Sequence, residues 1–340
     1  MIILIFSGFL VLLTIGLFLN KKPESSQKGR FSIIIACKNE SKHLNGLFEA
    51  IEAINYSPYD YEVILIDDNS TDDTFMKMQH FAIKKAQYHA LRLDYPDHGK
   101  KKALSKAIEF SMFPYIVLTD ADCRPPANWL NEISEYLDPE HTSDMLIGYS
   151  PEINNSLFRR FLYLITATSY ACTCGLGHPF SCTGRHLVFK KSIFKALGGY
   201  NGIEDIRSGD DKLLLNRFYK NKKKIRYMFT PSVATLPVSK EARKQQDLRR
   251  FGKFGMSRLY WQILSVLIAV FFILLPWFIS HYGYYLEFLM LYISAFLYVF
   301  FSAKKHSERF YPVYLLYILY YPYFLIIKSI QGTFRNWTWK

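Results

Sequence analysis

Long apolar runs flank a mixed middle segment, and this pattern predicts a membrane protein with one soluble domain. Four runs contain almost no ionisable residues: 2–19, 261–279, 286–303 and 310–327. Each approaches the ~20 residues that an α-helix needs to cross a bilayer. We therefore predict an N-terminal transmembrane anchor over 1–20 and a C-terminal transmembrane region of two to three helices over 259–340. Pro312 and Pro322 interrupt the last run, which fits a re-entrant or interfacial element as well as a crossing.

The first apolar run is predicted to be an uncleaved anchor, because no Lys or Arg precedes it and no small-residue cleavage site follows it. Basic residues come directly after it: Lys21, Lys22, Lys28 and Arg30. By the positive-inside rule, they place the middle segment in the cytoplasm. The expected location is a bacterial-type cytoplasmic membrane, with the soluble domain, 29–240, in the cytosol.

Short apolar runs in the middle segment predict the strands of a parallel sheet. They are Phe31–Cys37, Tyr61–Asp67, Ala90–Leu93 and Tyr115–Thr119. Runs of this length and content are typical of strands buried on both faces. Helical patterns separate them, so we predict a doubly wound α/β domain that binds its ligand at the carboxyl ends of the strands.

Two of the intervening helices can be placed from their local patterns. Ser70 and Asp73 resemble a capping box that opens a helix toward Ala86. An apolar stripe predicts a second helix, from Ala103 to near Met112.

The charge of the chain is +13, although 50% of its residues are hydrophobic and only 21% are charged. Nucleic-acid binding is the first alternative for such a charge, but the basic excess lies next to the predicted membrane boundaries and no recognition motif is present. The five cysteines lie in the segment assigned to the cytoplasm, and their odd number argues against a disulfide framework. We predict a membrane partner and no nucleic acid.

Polar clusters follow three of the predicted strands. They are Lys38-Asn39-Glu40, Asp67-Asp68-Asn69-Ser70 and Asp120-Ala121-Asp122. Residues two apart on a strand share a face, so Asp120 and Asp122 can present two carboxylates together, as a site for Mg²⁺ or Mn²⁺ and a phosphate requires. Taken alone, the second cluster also fits a turn with a helix N-cap. Together the clusters indicate one crevice.

A further acidic pair, Asp210 and Asp211, follows Gly209 far downstream. One hypothesis gives these carboxylates proton chemistry in the same crevice. The alternative is that they cap a helix over 212–219, where negative charge favours the positive end of the dipole. His178 and His186 are predicted to be hydrogen-bonded polar residues rather than metal ligands.

These motifs together resemble a membrane-bound family 2 glycosyltransferase of the GT-A fold. The resemblance rests on 32–40, 63–74, Gly99-Lys100, 119–122, Gly198-Gly199-Tyr200 and 209–214, in this order. It implies an α/β, Rossmann-like nucleotide-diphospho-sugar transferase domain plus transmembrane helices. It spans about 31–250. It includes a resemblance to ceramide glucosyltransferases and carotenoid-lipid glycosyltransferases, which suggests a lipid acceptor.

The resemblance implies a role for each motif. The expected nucleotide-sugar-binding residues are Ala36, Lys38, Glu40, Asp67, Asp68, Lys100, Asp120 and Asp122. Asp68 would contact the uracil of a UDP-sugar. For Asp67, a structural role is the alternative to nucleotide binding. Lys100 would lie near the nucleotide, and its neighbours Lys101 and Lys102 fit a solvated helix surface equally well.

The same resemblance supplies the expected chemistry. Asp122 would bind Mn²⁺ or Mg²⁺, with Asp120 toward the ribose and the metal's waters. Asp211 would deprotonate the acceptor hydroxyl for inverting transfer, and Asp210 would orient it.

The acceptor side is predicted from Gly184 and from Gln246, Arg249 and Arg250. Members of this branch often carry Gln-x-x-Arg-Trp, but here Arg250 stands where Trp is expected, and Phe251 follows. In processive synthases of the family that Trp helps to hold the growing polymer, so its absence favours transfer of a single sugar. The alternative is that Phe251 takes its place with a register shift of one. The segment 241–258 is basic and amphipathic, which fits a position on anionic headgroups.

The resulting hypothesis is a metal-dependent, inverting enzyme that moves one sugar from a UDP-sugar to a lipid or lipid-linked acceptor. One alternative is a processive polysaccharide synthase. An alternative of another class is a catalytically silent, membrane-anchored nucleotide-sugar-binding scaffold.

Overall fold

The computed structural model describes residues 2–23, 28–137, 143–153, 156–204, 206, 209–237 and 259–334. The chain forms two compact units. The helical unit comprises Met1–Leu19, Asn154–Phe180 and Pro237–Lys340, and the sheet unit comprises Asn20–Ile153 and Ser181–Leu236. The predicted boundaries of the anchor and of the soluble domain stay predictions. The predicted basic segment 241–258, with Gln246, Arg249 and Arg250, lies outside the described residues.

The sheet unit is built on a mixed seven-stranded sheet. Its strands are β1 (Phe31–Cys37), β2 (Tyr61–Asp67), β3 (Tyr88–Arg92), β4 (Tyr115–Asp120), β6 (Met145–Tyr149), β7 (Leu187–Lys190) and β8 (Ile225–Ser232). Their order is β3-β2-β1-β4-β7-β6-β8, and a small second sheet pairs β5 (Cys123–Arg124) with β9 (Ala234–Thr235).

The four strands predicted from short apolar runs are all present, and they pair in parallel. Three central residues of β1, Ile33, Ile34 and Ile35, are fully buried, as are their counterparts on β2. Burial on both faces explains why these strands have no polar alternation. The inserted strand β7 runs antiparallel to both β4 and β6, which makes the sheet mixed.

Helices cover the sheet. They are α2 (Ser41–Glu52), α3 (Thr74–Ala82), α4 (Lys100–Phe110), α5 (Trp129–Ser134), α7 (Lys191–Ala196) and α8 (Asp210–Lys220). The predicted capping box at Ser70 is wrong, because α3 begins only at Thr74. The Ser70 hydroxyl instead accepts a 2.9 Å hydrogen bond from the backbone N–H of Asn39 and joins two loops.

The helical unit contains α1 (Ile2–Leu19), α6 (Leu157–Gly175), α9 (Leu259–Tyr282), α10 (Tyr285–Lys305) and α11 (Tyr314–Phe334). Among the described residues, Gln262–Tyr282 and Tyr285–Lys305 are long and apolar enough to cross a membrane, with mean hydropathies of 2.6 and 1.8. The first apolar run forms a shorter apolar helix. Pro322 lies inside α11 without ending it, whereas Pro312 precedes the helix, so the last apolar run is helical only from Tyr314 onward. Its crossing of a membrane stays a prediction.

Aromatic side chains join the helices of this unit. Phe6 of α1 stacks on Phe271 of α9 with ring centroids 3.8 Å apart. Phe158 and Phe161 of α6 pack edge to face against Tyr317 of α11, at 5.0 and 5.6 Å. Phe158 and Phe161 of α6 therefore pack against another helix of this unit.

Candidate active site

The carboxyl ends of β1, β2 and β4 lie side by side and bring the predicted clusters together. In the sheet register Cys37 is level with Asp67, and Ala36 is level with Asp120. Ala36 thus lies beside the first carboxylate of the Asp120-Ala121-Asp122 motif. The crevice predicted at this edge is formed by neighbouring strand ends.

Two asparagines shape the loops after β1 and β2. Asn39 and Asn69 both adopt the left-handed conformation, with φ of 54°, which Asn tolerates better than most residues. The Asn39 side-chain oxygen accepts a 2.8 Å bond from the backbone N–H of Thr71. Each loop thereby holds the other, so the polar side chains they carry start from a fixed backbone.

Asp67 and Asp68 are adjacent but have different surroundings. Asp67 is fully buried, accepts from the backbone N–H of Ser70 and pairs with Arg92 Nε at 3.1 Å. Asp68 accepts a 2.7 Å bond from the backbone N–H of Gly99 and lies 3.4 Å from Lys38 Nζ. These contacts fit the alternative in which Asp67 has a structural role. Asp68 is the carboxylate that reaches the loop before α4, at Gly99.

Glu40 lies just beyond the same strand end and pairs with His43 Nδ1 at 2.6 Å. His43 stands in the first turn of α2. His43 is also close enough to Asp122 to act on that carboxyl, whose pKa it helps to lower against the larger effect of burial.

Lys100, the first residue of α4, joins the two acidic motifs. Its Nζ donates a 2.7 Å hydrogen bond to Asp120 Oδ1 and lies 3.6 Å from Asp210 Oδ2. Burial by itself would lower the pKa of Lys100, but the neighbouring carboxylates, led by Asp120 and Asp210, outweigh it and raise the pKa well above its ordinary value. The ammonium therefore stays charged at the centre of an acidic cluster.

Asp210 and Asp211 occupy the first turn of α8, after Gly209 in the left-handed conformation. Asp211 Oδ1 accepts a 2.7 Å bond from the backbone N–H of Lys212. Gly184 lies against both acids, since a Cβ built on it would be 3.5 Å from Asp210 Oδ2 and 3.8 Å from the Asp211 Cβ. Both residues thus stand at the N-terminal end of α8, the positive end of its helix dipole.

The carboxyl of Asp122 lies close to a second carboxylate, that of Asp120. Burial, its largest influence, raises the pKa of its carboxyl, Arg185 opposes this shift and Asp120 adds to it. A divalent cation beside Asp122 would relieve the repulsion, and carboxylate oxygens are suitable ligands for Mn²⁺ or Mg²⁺. Among the described residues no group of three or more metal-ligating side chains converges. Asp120 and Asp122 are the residues that would hold a divalent metal at this strand end.

His186 has both ring nitrogens occupied. Nε2 accepts a 3.1 Å hydrogen bond from Trp129 Nε1, and Nδ1 lies 3.3 Å from the Tyr149 carbonyl oxygen, to which it donates. Burial lowers the pKa of His186 to about 4, so the ring is neutral. The prediction of a hydrogen-bonded histidine is confirmed at this position.

Two residues near the site were not predicted from the sequence. Lys101 is buried, and its Nζ donates to the carbonyl of Ile206, so a solvated surface is wrong for this lysine. Arg185 Nε lies 4.0 Å from Asp120 Oδ2. Both depend on contacts with distant loops, and local periodicity carries no signal of such contacts.

A mixed α/β sheet with an acidic motif at the carboxyl end of β4 is the arrangement expected of a GT-A nucleotide-sugar transferase. Residues 32–198 match the family model described as "Glycosyl transferase family 2". About half of the chain therefore matches the family that the resemblance implied.

Individual relatives are distant. Poly(ribitol-phosphate) beta-N-acetylglucosaminyltransferase TarS of Staphylococcus aureus is 21% identical over 197 residues, which are 58% of this chain and 33% of TarS. Succinoglycan biosynthesis protein ExoA of Rhizobium meliloti is 25% identical over 176 residues, 50% of this chain and 52% of ExoA. The chain thus spans only a third to a half of these relatives.

Among the solved structures that resemble the chain is the mannosyltransferase PcManGT of Pyrobaculum calidifontis in complex with GDP-Man and Mn²⁺. Its TM-score is 0.56 and its identity 16%, over 97% of this chain and 99% of that one. The likeness shows a shared GT-A fold.

Proposed function

We propose that the protein transfers a single sugar, with inversion, from a nucleoside diphosphate sugar to a lipid or lipid-linked acceptor. A UDP-sugar is the expected donor, and the expected place is the cytoplasmic face of a bacterial cytoplasmic membrane. The contact that carries the proposal is Lys100, which links Asp120 of the donor motif to Asp210 of the acid pair. A site for a diphosphate and a site for proton transfer are therefore within one side-chain length of each other.

The donor's nucleotide is assigned to the ends of β1 and β2. Asp68 has a fixed carboxylate that can accept from the imide N–H of uracil, and Lys38 lies beside it. Lys100 supplies positive charge for the diphosphate. Asp122, with Asp120, would hold Mn²⁺ or Mg²⁺, which when bound offsets the negative charge that develops on the leaving nucleoside diphosphate.

Asp211 is the proposed general base. It removes the proton of the acceptor hydroxyl as that oxygen bonds to the anomeric carbon and the bond from this carbon to the diphosphate oxygen breaks. Attack opposite the leaving group inverts the anomeric configuration. Asp210 is held by the Lys100 ammonium and faces Gly184, so it positions the start of α8 rather than taking the proton.

The lipid acceptor is proposed because the chain combines this site with the apolar helices α9 and α10. The helical unit also includes α6, whose aromatic face packs on α11. The change from Trp to Arg250 in the Gln-x-x-Arg-Trp motif supports transfer of one sugar rather than chain growth.

Release of nucleoside diphosphate by the full chain in detergent tests the proposal. UDP- and GDP-sugars are screened with Mn²⁺, Mg²⁺ or EDTA and with total bacterial lipid, for wild type, Asp211→Asn, Asp122→Ala and the surface control Asp97→Asn. We expect metal-dependent release with one donor, lost in both site variants and kept in the control. A ladder of polymeric products would favour the processive synthase. Tight nucleotide binding without release, across all donors and lipids, would favour the silent scaffold.

A further inference from the structure

Arg185 occupies a position between the two acidic motifs of the site. The residue before it, Gly184, lies against the acid pair, and a Cβ built on it would be 4.0 Å from Lys100 Nζ. Arg185 itself extends toward the donor motif, where its Nε is 4.0 Å from Asp120 Oδ2. Consecutive residues of one loop therefore face the proton-transfer side and the phosphate side of the crevice.

The backbone of Arg185 is fixed by its neighbour. His186 is fully buried and held on both ring nitrogens, by Trp129 and by the Tyr149 carbonyl. Gly148 leaves the space for this ring, since a Cβ there would lie 2.0 Å from His186 Nδ1. Strand β7 begins at the next residue, Leu187. A guanidinium that starts from such a backbone is well positioned before any ligand arrives.

Lys100 and Arg185 flank the two oxygens of the same carboxylate. Lys100 donates to Asp120 Oδ1 at 2.7 Å, and Arg185 faces Oδ2. The side chain of Arg185 is 15% exposed and that of Lys100 is 28% exposed, so both cations border the crevice instead of extending into solvent. The protein thus supplies two positive charges where the diphosphate of a donor would carry its negative charge.

The contact between Arg185 and Asp120 is electrostatic. Charge-assisted N–H···O bonds are about 2.7–2.9 Å long, and the Nε to Oδ2 separation exceeds this by more than an ångström. The field of Arg185 nevertheless reaches Asp122, whose pKa it lowers against the effect of burial. A guanidinium has planar, paired donors that match two phosphate oxygens at once, which an ammonium does not.

We infer that Arg185 binds the diphosphate of the nucleotide donor, together with Lys100 and opposite the metal-binding carboxylate. This inference rests on the proposed function, and it assigns a donor-binding role to a residue outside the sequence motifs. It also implies that part of the diphosphate charge is met by side chains. Binding of a nucleoside diphosphate is therefore weakened, but not abolished, when divalent metal is removed.

Equilibrium binding of radiolabelled UDP, GDP, uridine and guanosine to the full chain in detergent tests this role, with Mn²⁺ and with EDTA. The variants are Arg185→Gln and Arg185→Lys, with Arg30→Gln as the matched control. Arg30 is exposed and precedes β1, at the opposite edge of the sheet. Midpoints of thermal unfolding establish that each variant is folded.

Arg185→Gln is expected to weaken binding of the preferred nucleoside diphosphate by about tenfold or more, in Mn²⁺ and in EDTA, because a charge-assisted paired contact is lost. Arg185→Lys should lose less affinity for the nucleoside diphosphate, since it keeps the positive charge but not the paired donors. Binding of the bare nucleoside and all binding by Arg30→Gln should match wild type.

Two results would overturn the inference while leaving the proposed function intact. One is wild-type affinity of Arg185→Gln for the nucleoside diphosphate. The other is an equal loss for the nucleoside, which would mean that Arg185 supports the fold of the pocket. If wild type bound neither UDP nor GDP under any condition, the inference and the proposed function would both be wrong.

Discussion

The ammonium of Lys100, at the start of α4, lies 3.6 Å from the carboxylate of Asp210, at the start of α8. The same nitrogen donates to Asp120, so one cation is shared by two acids from distant parts of the chain. Without it, carboxylates on β4 and α8 would face each other across the crevice. The acid pair and the donor motif therefore depend on one lysine for their relative position.

Replacement of Lys100 by Met should reduce kcat/KM for the donor by at least about tenfold, because a charged hydrogen bond is lost and two carboxylates are left to repel each other. Steady-state release of nucleoside diphosphate measures the effect. Lys102→Met is the matched control, since Lys102 stands on the same helix and pairs with Asp97 at the surface. Equal activity of the two variants would show that Lys100 is not part of the site.

Two glycines should respond differently to a single added methyl group. Gly184→Ala places its Cβ in ordinary contact, with no atom nearer than 3.5 Å, so stability should change by less than about 0.5 kcal/mol. Transfer should still fall, because the methyl group enters the space between Lys100 and the acid pair. Gly148→Ala drives its Cβ into the His186 ring and should destabilise the fold by about 1–3 kcal/mol.

Thermal unfolding and donor turnover, measured on both glycine variants, separate these effects. The expected pattern is a stable, poorly active Gly184→Ala and an unstable Gly148→Ala. A fully active Gly184→Ala would mean that no substrate group approaches Gly184, and the acceptor-side role predicted for it would fail.

The strands that carry the site were predictable because their signal is local. A buried strand such as Tyr61–Asp67 can be recognised without knowing which strands it pairs with, and its acidic end lies in the same few residues. The convergence of Asp120 and Asp210 followed from the resemblance and from the rule that ligands bind at the carboxyl ends of parallel strands. The structure brings them to the same lysine.

Features that depend on distant partners were not predictable. Lys101 and Lys102 are equivalent by sequence, yet only Lys101 is buried, because the carbonyl of Ile206 lies over it. The short strand β7 runs antiparallel between β4 and β6, and its few residues do not indicate whether it pairs in parallel or antiparallel. Phe158 and Phe161 of α6 pack against Tyr317, more than 150 residues away in sequence, and no local pattern indicates such a partner.

Arg217 holds the Gly198-Gly199-Tyr200 turn against α8. Its guanidinium donates to the carbonyls of Gly198, Gly199 and Asn201, at 3.2, 2.5 and 2.8 Å. Arg217→Met should free these carbonyls, speed amide hydrogen exchange at 198–201 and lower stability by about 1–3 kcal/mol. Turnover should fall with little change in donor KM, because the strand ends that hold the nucleotide are untouched.

Hydrogen exchange followed by mass spectrometry, with donor kinetics, checks the Arg217 prediction. Lys220→Met, an exposed change at the end of the same helix, is the control and should leave both measurements unchanged. Arg217→Lys should restore only part of the protection, since an ammonium cannot reach three carbonyls in one plane. Unchanged exchange in Arg217→Met would contradict the assignment of this clamp.

His186 should make the stability of the protein fall at mildly acidic pH. Burial lowers its pKa from 6.5 to about 4, so the unfolded chain takes up a proton before the folded protein does. The stabilisation is complete above the unfolded pKa and is lost as the pH falls from about 6.5 toward 4, by about 3 kcal/mol at most.

Thermal midpoints of the full chain in detergent, from pH 7.5 to 4.5, test this pH dependence. His186→Gln should flatten the slope, whereas His98→Gln, at an exposed position, should keep it. Protonation of Nε2 removes the hydrogen bond that this nitrogen accepts from Trp129, whereas Nδ1 can still donate to the Tyr149 carbonyl. An unchanged slope in His186→Gln would assign the acid sensitivity to other groups.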